Sequence, residues 1–431
     1  MYHEFSRGEI TVRGPGTLIQ ILAMEAEPIA ETPASKASQA SQASQAATDL
    51  QGRVEAVANV AARHALAVDN GARFPSEALK ALKVQRLLAT QVPVALGGES
   101  LGLGELTDVC YRLGQACAST AMIFAMHQIK VACIARHMGD NATLQSMLRQ
   151  LCADQLLLAS STTEGQGGGN IRSSEAPIVY RTDGGISLER RASVISYGAY
   201  ADGIVTTARR AEDAAASDQV LVAFLKEDYT LARIQSWDAL GMRGTCSEGY
   251  TLKASGRSGQ IIPEPYEDIH ARTMVPFAHL LWGSVWAGIA ASAVARAQAF
   301  VRNALRLSGQ LPPGAPQCTR ALATLRTLRG TLSTALRRYE QCMNDPQALA
   351  TLDFQTMINL TKVEASELAV AAVTNAMRAC GLAGYRNDSE FSIGRHLRDV
   401  LSAPIMINND RILANLTPSL LLSPISSSLR D

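Results

Sequence analysis

From Leu50 to about residue 155, apolar residues recur every three or four positions, in AVANVAARHALAVDNGARF and again in DVCYRLGQACASTAMIFAMHQIKVACIARHM. That is the spacing of helices burying one face. Between them VPVALGGESLGLG (Val92 to Gly104) predicts a turn, its glycines supplying backbone conformations closed to other residues. The texture changes near Leu156, where LLLASSTTEGQGGGN, APIVYRTDGGISLERRASVISYG, ADGIVTTARR and QVLVAFLK set short β-branched and apolar runs between Gly, Asp and Ser. These predict strands. From Pro276 onward, stretches such as SVWAGIAASAVARAQAFVRNAL and ATLRTLRGTLSTALRRYEQC return to helical spacing, with Pro312, Pro313, Pro316 and Pro346 in the gaps where helices end. The pattern therefore predicts a mainly α chain with a central β-domain: an N-terminal helical domain over 50–155, a middle β-domain over 156–265, and a helical bundle over 266–431.

Residues 1–49 stand apart. Between Glu31 and Asp49 lies an Ala/Ser/Gln tract with too little apolar surface to offset the entropy of ordering, which predicts a disordered linker behind an extension without recognisable chemistry. The apolar run Leu18 to Met24 is too short to span a bilayer. Lys plus Arg (40) exceed Asp plus Glu (39) by one, so no global field draws nucleic acid or anionic membrane. Eight scattered cysteines without a CxxC pair or a neighbouring His cluster predict reduced, buried thiols, a cytoplasmic chain and no metal site.

Four local patterns, spread over roughly Leu50 to Leu416, carry a resemblance to the acyl-CoA dehydrogenase superfamily. VPVALGGESLG, with the amphipathic helix behind it, resembles the family's Pro-to-Gly-Gly turn. STTEGQGGGN (Ser161 to Asn170) stands where the family has a Thr-Glu-Pro-Gly-x-Gly-Ser-Asp loop, with Gly165 for Pro and Asn170 for Asp. Small residues there let backbone N–H groups approach a flavin closely, and the register implies Ser160, Thr162, Thr163, Gly168 and Gly169 as FAD-binding. RRASVISYGAYADGIVTTAR (Arg190 to Arg209) resembles the family's Lys-x-Trp-Ile-Thr-Asn-Gly text, placing Val194 at the Trp position and Ser196 at the flavin-binding Thr. WDALGMRGTCSEGYTL (Trp237 to Leu252) then matches the Gly-Met-Arg-Gly-Thr text. RACGLAGYRNDSEFSIGRHLRDVLSAPIMINNDRI (Arg378 to Ile412) matches the glycine loop and Arg-Asp pair through Gly381, Gly384, Tyr385, Arg395, Arg398 and Asp399.

The resemblance implies an N-terminal helical domain, an antiparallel, barrel-like middle domain and a C-terminal four-helix bundle. It also implies that Gly381 and Gly384 meet the adenosine diphosphate part of FAD from a neighbouring subunit, hence a homodimer or homotetramer. Arg398 and Asp399 are read as a buried ion pair fastening a helix to the β-domain.

Dehydrogenation of an acyl thioester needs a carboxylate base for the α-proton. Ungapped counting from Arg398 puts the family's Glu position on Ile407, and one inserted residue would put it on Asn408; the alternative Glu position, at the end of the first bundle helix, reads LRLSGQ, with Arg306 a further implied cofactor ligand. Asp410 is the nearest carboxylate and the candidate base; its other reading is the N-cap of the last helix. His279, expected to be partly exposed, replaces the Arg of the family's Asp-x-x-Arg text. The implied function is FAD-dependent α,β-dehydrogenation of an acyl thioester, with electrons passed to an electron-transfer flavoprotein. The alternatives are a monooxygenase of the same fold fed by a flavin reductase, and a non-catalytic flavin-binding homologue.

Overall fold

The computed structural model describes residues 33–164, 173–421, 425, 427 and 428. Contacts divide the chain after Asp49, and Leu50–Asp431 forms one unit. The first helix, α1, runs Pro33–Asn70. The tract expected as a disordered linker is thus helical from Pro33. Ala and Gln are strong helix formers, no Gly or Pro follows within the tract, and Pro33 itself takes the first helical position.

The N-terminal helices continue as α2 (Ser76–Val84), α3 (Leu103–Ala116), α4 (Ala118–His137) and α5 (Ala142–Asp154). Among the described residues seven strands follow: β1 (Leu158–Ser161), β2 (Val179–Tyr180), β3 (Gly185–Ile195), β4 (Gly203–Arg209), β5 (Gln219–Leu225), β6 (Tyr229–Gln235) and β7 (Glu248–Arg257). They form a three-stranded sheet, β1-β4-β5, and a four-stranded antiparallel sheet, β2-β3-β7-β6. β1 pairs with β4 in parallel, an exception to the antiparallel expectation. The helical text resumes as α6 (Tyr266–Ile269), α7 (Val275–Ser308), α8 (Ala315–Cys342), α9 (Pro346–Ala350), α10 (Leu352–Cys380), α11 (Leu382–Tyr385), α12 (Gly394–Val400) and α13 (Asn409–Leu420).

Between α6 and α7, His270–Met274 forms a π-turn. Pro276 lacks the N–H that would close the next α-turn, and the wider turn absorbs that loss. The long helices α7, α8 and α10 pack on one another, and α3 lies along α7. The shorter C-terminal helices α12 and α13 pack on α10 and complete the bundle. Helices α4 and α6–α7 are long and apolar enough to cross a membrane, yet 94% and 89% of their apolar windows are buried inside the fold, which makes them core helices. Seven of the eight cysteines are buried and none is in a disulfide.

The α3–α7 contact is made by backbone. A Cβ on Gly288 would lie 2.3 Å from Tyr111 O, and one on Gly114 2.6 Å from Val285 O. Only glycine allows this approach. Gly288→Ala is therefore expected to lower the unfolding free energy by about 1–3 kcal/mol, the cost of overpacking a close-fitted core. Chemical denaturation reads the shift.

Candidate functional site

The hydroxyls implied as cofactor ligands lie at and beyond the ends of two strands, β1 and β3. Ser160, Thr162 and Thr163 lie at and just beyond the end of β1, half-buried, and Ser196 follows β3. Tyr197 ties the two strands together. Its ring is fully buried, and its hydroxyl donates to Leu158 O at 3.1 Å, two residues before Ser160. His127 on α4 supports the start of β1: its Nδ1 accepts from Leu158 N (3.0 Å) while Nε2 donates to Leu88 O (2.7 Å). Complete burial pushes its pKa down to about 4, so the ring stays neutral.

Ser196 begins a hydroxyl chain. Ser196 Oγ and Ser247 Oγ are 2.8 Å apart, Ser247 Oγ is 2.7 Å from Thr245 Oγ1, and Thr245 donates to Met242 O at 2.8 Å. This chain runs through the Gly-Met-Arg-Gly-Thr text, whose glycines are points of contact with helices. A Cβ on Gly241 would stand 2.0 Å from Arg398 O, and one on Gly244 2.3 Å from Val68 Cγ1. Arg243 fastens the same loop by donating from Nε to Asp69 O at 2.8 Å.

Arg398 and Asp399 do not pair with each other. Arg398 makes a two-pronged ion pair with Asp69 on α1 (2.9 and 2.5 Å) and donates to Leu240 O, whereas Asp399 Oδ1 accepts from Met242 N at 2.7 Å. Adjacent residues of a helix point in different directions, so each reaches a different element. Together they do fasten α12 to the β-domain, as expected of a pair.

Burial raises the Asp399 pKa to about 6, against the opposing hydrogen bond from Met242 N. Between the ordinary carboxylate value near 4 and about 6, the folded state holds a proton that the unfolded chain has released, so stability from this group falls as pH rises through that window. Asp399→Asn keeps an acceptor for Met242 N and loses this dependence. Relative to wild type it is expected to gain stability from pH 4 to 7, by up to about 3 kcal/mol, two pKa units' worth. Parallel denaturation curves across that range check it.

Glu164, of the Thr-Glu text, is held from both sides. Its carboxylate accepts from Glu175 N (2.5 Å) and Ala176 N (3.3 Å), and Arg190 Nε of β3 lies 3.4 Å away. Arg190 is 1% exposed and donates through Nη1 to Thr207 Oγ1 at 2.9 Å and to Thr207 O. A buried Arg–Glu pair thus fixes both edges of the glycine-rich segment, in which Gly168 and Gly169 lie outside the described residues.

The donor set suits the polar edge of a flavin. The Ser161 hydroxyl is buried without a partner, and the hydroxyls of Ser160, Thr162 and Thr163 bond to no other described residue. The aromatic cover implied at position 194 is absent; Val194 is 40% exposed. Gly381 and Gly384, implied to act from a neighbouring subunit, and Arg306 lie on the C-terminal helices. Gly381 caps α10 with φ +55°, Gly384 packs on Cys380, and Arg306 sits exposed in the last turn of α7, bonded to Asn303. No hydrogen bond among the described residues joins them to β1 or β3.

Neither Ile407 nor Asn408, the two positions that counting from Arg398 offers for the family's base, carries a carboxylate. Ile407 has a left-handed backbone, φ +47°. Asp410 is exposed, and Asn408 rather than Asp410 caps α13, accepting from Asp410 N at 2.8 Å. The buried residue is Asn409, which accepts from Lys362 Nζ at 2.7 Å and contacts Ser366. His279 is 3% exposed rather than partly exposed, with Nδ1 3.1 Å from Ile358 O, and burial pushes its pKa down to about 3.

The profile of the acyl-CoA dehydrogenase N-terminal domain matches residues 45–155 and that of the C-terminal domain matches 273–416, so the chain belongs to the acyl-CoA dehydrogenase family. It is 25% identical over 376 residues to a cyclohex-1-ene-1-carbonyl-CoA dehydrogenase from Geobacter metallireducens, covering 84% of this chain and 94% of that one. Among solved structures it is similar to a dibenzothiophene monooxygenase from Paenibacillus sp. A11-2 (TM-score 0.73, 16% identity, 88% and 98% coverage). It is also similar to butyryl-CoA dehydrogenase from Megasphaera elsdenii (TM-score 0.70, 17% identity, 86% and 98%). Dehydrogenases and a monooxygenase thus share this fold.

Arg190, Tyr197, His127 and Lys362 are given no role by the sequence patterns, although Arg190 and Tyr197 lie within a quoted stretch. Arg190 alone carried a signal, as an arginine on the inward-facing register of an alternating strand.

Proposed function

We propose that this chain is a flavin-dependent oxidoreductase that uses dioxygen on a small-molecule substrate, with reduced flavin furnished by a partner reductase. Positions 407 and 408 carry the reading: an isoleucine and an asparagine stand where the family resemblance implies the carboxylate that removes the α-proton. The neutral, buried His279 supports it, since it supplies no cation where the family text has an arginine. Flavin, when bound, supplies two-electron chemistry; one oxygen atom then enters the substrate and the other leaves as water.

This chain's own part is to bind and orient. The hydroxyls of Ser160, Thr162, Thr163 and Ser196 donate to the cofactor's polar edge, and the Arg190–Glu164 pair holds the loop that carries them. FAD rather than FMN is the proposed form. Completion of the site by a second copy is supported by the glycine loop, where Leu382 and Tyr385 are 71% and 73% exposed.

A second reading, acyl-thioester dehydrogenation with Asp410 as base and an electron-transfer flavoprotein as acceptor, is favoured by the identity to a CoA-thioester dehydrogenase across most of the chain. The test is to titrate the protein with FAD and with FMN, then mix the reduced holoenzyme with dioxygen in a stopped-flow spectrometer. The proposal expects saturable binding and a transient absorbance distinct from oxidised and reduced flavin. Direct return to oxidised flavin with no transient would count against it.

A further inference from the structure

Lys362 of α10 is fully buried, yet no carboxylate among the described residues is within ion-pair distance of it; Glu367 acts on it from farther off and accepts from Asn409 Nδ2 at 3.4 Å. The Lys362 amine donates to Ile407 O at 2.9 Å and to Asn409 Oδ1 at 2.7 Å, and it sits 5.7 Å from the centroid of the Trp286 ring. Both hydrogen-bond acceptors belong to the loop that carries position 407.

That loop is a stack of tight turns. Met406 N donates to Ser402 O at 2.9 Å, and Asn409 N reaches back to Pro404 O at 3.0 Å. Within it Ile407 adopts φ +47°, a left-handed conformation that is a genuine outlier for a β-branched residue and persists only where its surroundings enforce it. One hydrogen bond reaches it directly, from Lys362 Nζ to its carbonyl, and the other from the same amine holds Asn409 two residues on. Asn409 is held in turn by Ser366, whose hydroxyl accepts from Asn409 Nδ2 at 3.0 Å. A buried ammonium is costly unless its hydrogens are satisfied. An amine kept at this depth, spending two donors on one loop, is explained by what it does to that loop.

We propose that Lys362 is the positioning residue of the 405–409 loop, pinning Ile407 in its left-handed conformation so that the loop stays shut against water. The pinning is independent of the reaction; only its consequence for oxygen chemistry rests on the function proposed above. A closed loop protects a water-sensitive state of the holoenzyme, and a loose one admits the solvent that ends it.

Two measurements on the flavin-loaded protein test this. The first is amide hydrogen exchange over 405–410. Lys362→Met is expected to speed exchange there at least tenfold while leaving α8 unchanged, and Lys362→Gln, which keeps a donor without the charge, is expected to recover at least half of that change on a logarithmic scale. Asn409→Leu, which leaves Lys362 only the Ile407 carbonyl, is expected to fall between wild type and Lys362→Met. Exchange in Lys362→Met equal to wild type, or a rise shared equally by α8, would overturn the pinning whichever reaction the protein performs.

The second measurement is the lifetime of the oxygen-dependent transient. It is expected to shorten at least tenfold in Lys362→Met and to be partly restored in Lys362→Gln. A loosened loop with an unchanged lifetime would overturn the role in excluding water. Absence of any transient in wild type would count against the oxygen reading alone, and the exchange result would still decide the pinning.

Discussion

Arg190→Met is expected to lower the unfolding free energy by about 3–5 kcal/mol, the cost of leaving one partner of a buried ion pair behind. Arg190 is 1% exposed and the Glu164 side chain 8%, so solvent screens neither. Methionine fills much of the volume, which confines the loss to the guanidinium's bonds to Thr206 and Thr207 and to the stranded Glu164 carboxylate. The double variant Arg190→Met, Glu164→Gln should recover part of the stability, because the stranded charge goes with it. Urea denaturation measures both. Flavin affinity adds a second readout: Glu164 holds both edges of the glycine-rich segment, so the single variant should also bind flavin more weakly.

His279→Arg restores the family's residue type and is expected to destabilise by at least about 3 kcal/mol rather than improve thioester binding. The side chain at 279 is buried against Ile358 on α10, and Lys362 already contributes positive charge to the site. A guanidinium there has no carboxylate partner among the residues described around it. An unchanged melting temperature with tighter CoA binding would show that the position opens to a ligand, contrary to its burial.

The domain order was legible because it rests on periodicity, and the change from helical spacing to short strands falls within a few residues of β1 and α6. Motifs were legible where a short stretch of chain has to make a backbone contact. Gly241 and Gly244 are readable as a text because any side chain there would strike Arg398 O or Val68. What escaped depends on which face of a helix ends up inside. His279 lies in the first turns of α7, which are buried on nearly every side, and Lys362 lies on the inner face of α10, away from its exposed Glu364, Glu367, Thr374 and Arg378; a single polar residue on a buried face leaves no mark in hydrophobic spacing. Arg398 and Asp399 were seen, but adjacency in sequence suggested a mutual pair where helical geometry separates them. The Ala/Ser/Gln tract misled in the opposite direction, since polarity argued for a linker while the intrinsic preference of Ala and Gln is helical.

The central claim is that flavin chemistry here proceeds without a carboxylate at position 407 or 408, and anaerobic titration of the oxidised holoenzyme with a panel of acyl-CoA thioesters tests it most directly. The panel should include straight-chain and cyclohexene-carbonyl members, with flavin absorbance as the readout and Asp410→Asn measured alongside. No thioester is expected to bleach the flavin in either protein. Bleaching of wild type by any member, abolished in Asp410→Asn, would contradict it and establish Asp410 as the base of a dehydrogenase.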